Sequence, residues 1–111
     1  MSATLTKFFH FSASHARDGK VFGHNYTLEI ATDFLDPALE SRFEDGVKKT
    51  LIQKMESRDL SLHVDFLKGT EINDLNLLQI FFKKLSDEMP AFPIHSLSLQ
   101  RDSRTRVVFS P

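Results

Sequence analysis

At 111 residues the chain is sized for one domain spanning 1–111, with a single core and no room for a second. A net charge of −1 with mixed signs leaves no footprint for nucleic acid or an anionic membrane, and no apolar run approaches the roughly 20 residues that a bilayer span needs. With no cysteine there are no disulfides and no thiolate ligands, so any metal must be held by His, carboxylate, carbonyl or water. The opening residues, MSATLTKFFHF, lack the apolar run and small-residue cleavage site of a secretory leader, and the expected location is the cytoplasm.

The first predicted strand covers about 3–14. Phe9, Phe11, Ala13 and His15 share one parity there, and alternate side chains of a strand point to the same face. The second runs from Phe22 to about Phe34, with Phe22, His24, Tyr26, Leu28 and Ile30 on one face and Asn25, Thr27 and Glu29 on the other. Asp18-Gly19, between the two, is a hairpin signal. Asp36-Pro37 marks a helix start, with Asp36 as cap and Pro37 at the first helical position. Leu39, Phe43, Val47, Leu51 and Met55 follow at intervals of four, with Ile52 widening the stripe, and carry that helix to about 55–58. Glu40, Glu44, Lys48, Lys49 and Lys54 read as its solvated face.

Residues 60–70 are irregular and end at Gly69. A second helix runs from Asp74 to about Glu88, capped by Asn73 or Asp74, and buries Leu78, Phe81, Phe82, Leu85 and Met89. Ile94–Arg101 and Thr105–Phe109 form two short strands joined by Asp102-Ser103-Arg104. The order is ββααββ: an α+β fold with a four-stranded antiparallel sheet and two helices packed on one face. Such a sheet leaves its outer strands unpaired; one solution is to pair edges between subunits into a closed barrel, the other a monomer whose edges are blunted by charges such as Arg101, Asp102, Arg104 and Arg106.

Pairing the first two strands brings His15 and His24 together at the loop end, on the apolar side, with Phe22 beside them. Two converging imidazoles make a metal pocket that is short of ligands. Their other reading is a pair of ordinary strand-end histidines.

The segments Phe9-His10-Phe11-Ser12-Ala13-Ser14-His15 and Gly23-His24-Asn25-Tyr26 resemble the 6-pyruvoyltetrahydropterin synthase and 6-carboxytetrahydropterin synthase family, whose pattern is F-S-A-x-H, a cysteine-bearing loop, then H-G-H-N-Y. The resemblance implies a tunnelling fold that assembles into trimeric barrels, often stacked as hexamers, with sites between subunits. It implies zinc held by three histidines, acting on dihydroneopterin triphosphate or a related pterin. His15 and His24 match two of those ligands, and Phe22 stands at the third.

The resemblance also marks what is absent. The catalytic cysteine is missing, and the loop that should hold it is short. His63, in Leu62-His63-Val64-Asp65, matches the family's proton-shuttling histidine, but Leu62 replaces its aspartate. Asn76 is what remains of the P-T-x-E-N signature. The pterin-gripping glutamate falls near Gln100 or Arg101, neither of which offers a carboxylate's acceptors. From the residues present, Asp18 can supply an oxygen to the metal or serve only as a turn former; His63 or Asp65 can act as a base or sit as plain loop residues. Three readings follow: a zinc-dependent pterin synthase or lyase, a non-catalytic relative binding a pterin- or purine-like ring or a protein partner, and an unrelated small α+β domain.

Overall fold

The computed structural model describes residues 3–111. Two long strands, β1 (Thr4–Arg17) and β2 (Lys20–Asp33), form a hairpin in continuous register from Thr4↔Asp33 to Arg17↔Lys20. The strands therefore run on past the predicted loop, and only Asp18 and Gly19 remain to turn the chain. Both have positive φ, 52° and 76°, as the mirror-image turn that matches strand twist requires. Asp and Gly tolerate that conformation better than other residues, which is why a two-residue turn suffices here.

β2 pairs antiparallel with β4 (Ile94–Gln100), and β4 with β5 (Arg106–Phe109). A two-residue strand, β3 (Arg58–Asp59), adds to the outer side of β1 in parallel, giving the order β3-β1-β2-β4-β5. The four predicted antiparallel strands are thus present, and β3 covers one end of the β1 edge. There the Ser12 N–H donates to the Glu56 carboxylate at 3.0 Å, the Ser57 N–H to the Ser12 carbonyl, and the Leu60 N–H to the Ser14 carbonyl.

α1 (Pro37–Val47) begins where the Asp36 carboxylate accepts the Leu39 N–H at 2.9 Å, with Pro37 just inside. It continues through a π-helical turn, Lys48–Ile52, into a last short piece, α2 (Gln53–Met55). The apolar spacing accounts for that turn. Phe43, Val47, Leu51 and Met55 are all fully buried, yet steps of four walk a stripe round a regular helix by about 40° each, about 120° over three steps. One extra residue taken up in a wide turn brings the stripe back to the core. Leu39, at the far end of the same series, has left the core and is 38% exposed.

α3 (Asp74–Glu88) is capped by Asn73, whose side-chain Oδ1 accepts the Asn76 N–H at 2.8 Å. Both helical segments cover one face of the sheet, and Phe9, Phe11, Tyr26, Leu28, Ile30, Leu97 and Leu99 meet Leu51, Met55, Leu78, Phe81 and Leu85 in a single core. The opposite face is bare of helices. It carries polar side chains tied across strands: His10 to Thr27, Ser12 to Asn25, and Glu29 to both Ser98 and Arg106.

Candidate functional site

Aromatic rings line the covered face of the β1–β2 hairpin out to its turn. Phe11 stacks on Tyr26 with centroids 4.9 Å apart, Tyr26 meets the edge of His24 at 5.5 Å, His24 lies 5.7 Å from His15, and His15 stacks on Phe22 at 5.7 Å. Strand parity does this. All five residues fall on one side of the two paired strands, and cross-strand neighbours come within contact. The predicted juxtaposition of His15 and His24 is therefore present. Nδ1 of His15 is buried without a hydrogen-bond partner. Burial first, then the neighbouring His24, holds its pKa below the ordinary value.

Beside this row a cleft of about 330 Å³ opens between the hairpin, the start of α3 and the end of β4. His15, Arg17 and Tyr26 line one side, with Asn73, Asp74 and Arg101 on the other. The Asp74 side chain is 13% exposed and accepts from Nε of Arg101 at 2.9 Å. Tyr26, at the base, is 2% exposed, and burial, with Asp74 nearby, pushes its phenol up to about 12.

The other residues singled out in the sequence are distributed differently. Asp18 is exposed at the turn, where its backbone is left-handed, and no three His, Cys, Asp or Glu side chains among the described residues are grouped to hold a metal. Among the described residues Asp18 is not grouped with His15 and His24. His63 and Asp65 line a separate cleft that shares no lining residue with the one at His15. Asn76 spends its amide on the Glu71 carbonyl at 2.9 Å, holding the loop before α3. Gln100 has the parity of Ser98 and so faces the bare side of the sheet, whereas Arg101, one residue on, reaches the cleft. Asp74 was missed as a site residue. In the sequence it reads only as a helix start or cap beside Asn73, and nothing there announces its pairing with Arg101, 27 positions on.

The two imidazoles alone do not complete a zinc site. Phe22 packs against His15, and an aromatic hydrocarbon donates no lone pair. No protein-family model and no curated protein matches the sequence. Among solved structures the chain is similar to the 6-pyruvoyl tetrahydropterin synthase of Caenorhabditis elegans, with a TM-score of 0.83 and 19% identity over 100% of this chain and 96% of that one. The fold is that of 6-pyruvoyl tetrahydropterin synthase. This tunnelling fold places the hairpin, the two helices and the final strand pair as the sequence motifs lead one to expect. Within it, the cleft of this chain carries an arginine–aspartate pair beside His15, and Phe22 and His24 pack next to that histidine.

Proposed function

We infer that this chain is a 6-pyruvoyltetrahydropterin synthase-like protein that binds a pterin- or purine-like ring in the cleft beside His15, without zinc-dependent lyase chemistry. The observation that carries this reading is the Asp74–Arg101 pair. It sets a guanidinium fork next to a largely buried carboxylate that still has one oxygen free. A 2-amino-4-oxo heterocycle presents the matching edge: its amino and ring N–H groups donate to the carboxylate, and its carbonyl accepts from the arginine. The rings of His15 and Tyr26, with Ile72 and Leu75, offer flat and apolar wall, and about 330 Å³ lies at the small end of ligand pockets, suited to one bicyclic ring.

The test is a thermal-shift and fluorescence titration with neopterin, biopterin and guanine. Each should raise the melting temperature of the unaltered chain. Asp74→Asn should abolish the shift while the protein stays folded; a shift that survives this change sinks the reading. A second reading, lyase chemistry on dihydroneopterin triphosphate or a related pterin, is favoured by the 5.7 Å separation of His15 and His24. Stoichiometric zinc in the purified protein, lost in His15→Ala, would put that reading first.

A further inference from the structure

Gly46 sits inside the first helical run, where glycine weakens a helix relative to almost any other residue. The reason for it lies across the interface. A Cβ placed on Gly46 would stand 2.6 Å from Cε and 3.0 Å from Sδ of Met89, closer than such atoms pack. The other three glycines have nothing within 4 Å of a Cβ so placed. The bare Cα is therefore the seat of one thioether, and Met89 lies 8% exposed at the margin of the core.

Met89 also closes α3. Its N–H donates to the Leu85 carbonyl at 2.8 Å, and its own carbonyl accepts the Phe92 N–H at 3.1 Å. Phe92 packs on Phe43 of α1 with centroids 5.4 Å apart, and the Pro93 carbonyl accepts the hydroxyl of the fully buried Thr32 at 2.6 Å. From there β4 runs back along α3. The 15 residues of helix and the 7 of strand each cover about 23 Å, so Arg101 meets Asp74 at the far end. The Met89–Pro93 turn is the closed end of this α3–β4 pair, and the cleft beside His15 is its open end.

We propose that Met89 is a site of reversible sulfur oxidation that unlatches this closed end. The chain has no cysteine, so its three thioethers are the readiest targets for a hydroperoxide. Met55 is fully buried, whereas Met89 stands at a helix end that opens by local fraying. The sulfur lone pair attacks the terminal peroxide oxygen. The S–O bond forms, the O–O bond breaks, and the oxidant leaves as water or an alcohol, reduced by the two electrons that sulfur gives up. The new S–O dipole then faces apolar packing, and its oxygen has no room over Gly46. The side chain leaves its seat, freeing the turn from α1 and loosening the hold of α3 on β4 as far as Asp74 and Arg101. Thiol-dependent sulfoxide reductases restore the thioether. The proposal does not depend on ring binding beside His15, because neither Met89 nor Gly46 lines that cleft.

The test is titration of the full chain with hydrogen peroxide, followed by peptide mass spectrometry and thermal unfolding. Met89 should gain one oxygen before Met55 does, and the melting temperature should fall with it by about 5 °C. Sulfoxide reductases of both stereospecificities, supplied with a dithiol, should restore it. Amide exchange in the oxidised chain should quicken over residues 85–94 and at the start of α3. Met89→Leu conserves volume and should show no peroxide-induced fall, which also separates Met89 from Met1, outside the described residues. Gly46→Ala takes the thioether's place and should speed oxidation of Met89 severalfold; it replaces Met89→Leu if circular dichroism shows that variant unfolded. Met89 no more reactive than Met55, a melting temperature unmoved by the Met89 sulfoxide, a peroxide effect undiminished in Met89→Leu, or an unchanged oxidation rate in Gly46→Ala overturns the proposal.

Discussion

Phe8 and Val108 are the two ends of one row of side chains that crosses the sheet through Glu29 and Ser98. Both lie on the face without helices, both are 58% exposed, and each belongs to a strand with a free edge. On β1 that free edge is the stretch before Ser12, since Glu56, Ser57 and Leu60 occupy the rest. Pairing β5 of one subunit with this stretch of the next sets Val108 against Phe8 and buries both. We expect a homo-oligomer, a trimer or hexamer, by analytical ultracentrifugation. Phe8→Glu or Val108→Glu should shift it toward monomer, and a monomer at tens of micromolar in the unaltered chain would refute this mode of assembly.

Phe22 stacks on His15, which lies 5.7 Å from His24. Phe22→His should raise zinc affinity by about tenfold or more over the unaltered chain, because each added ligand enters a pair already held by the hairpin. Calorimetry and metal analysis after dialysis decide it. Equal zinc content in both proteins would show that Phe22 is not at the missing ligand's place.

Tyr26 supplies a pH signature. Its folded pKa, about 12, lies above the ordinary 10.0, so the unfolded chain loses its proton first. The stability this contributes is fully present below pH 10 and is lost as pH rises through about 12. Because it is the only tyrosine, phenolate absorbance reports it alone. The midpoint should be near 12 in the native protein and near 10 in urea, and Tyr26→Phe should flatten the alkaline decline in melting temperature.

The hairpin turn gives a further contrast. Gly19→Ala, at a φ of 76°, should cost about 1 kcal/mol, measured by urea unfolding. Asp18→Asn should be close to neutral, since Asn tolerates the same conformation. It should also leave metal content unchanged; a loss of metal would return Asp18 to the list of ligands.

Much of this was legible because alternation is a local signal. The parity of Phe9, Phe11 and Ala13 against Tyr26, Leu28 and Ile30 fixed the hairpin's buried face, and with it the meeting of His15 and His24. The limits of α3 followed from Asn73 and the stripe from Leu78 to Met89. What stayed hidden depends on residues far apart in the chain. Nothing in the order of residues announces that Arg101 finds Asp74 (27 positions earlier) or that Lys49, Lys54 and Arg58 share a wall with Lys84. The lysines of the first helix read as a solvated face because their partners arrive from β3 and α3. The π turn was written in the strict spacing of four, which a regular helix cannot keep in register.

That wide turn leaves the first helix with one residue to spare, and at one place only. Deleting a residue from the Lys48–Ile52 segment lets the backbone relax into an ordinary spiral in which Met55 still falls within about 20° of Phe43 and stays in the interior. Glu56, next along, then keeps the amide of Ser12 that it now guards. The margin of the sheet, more than 40 positions upstream, would thus survive the loss of an amino acid here.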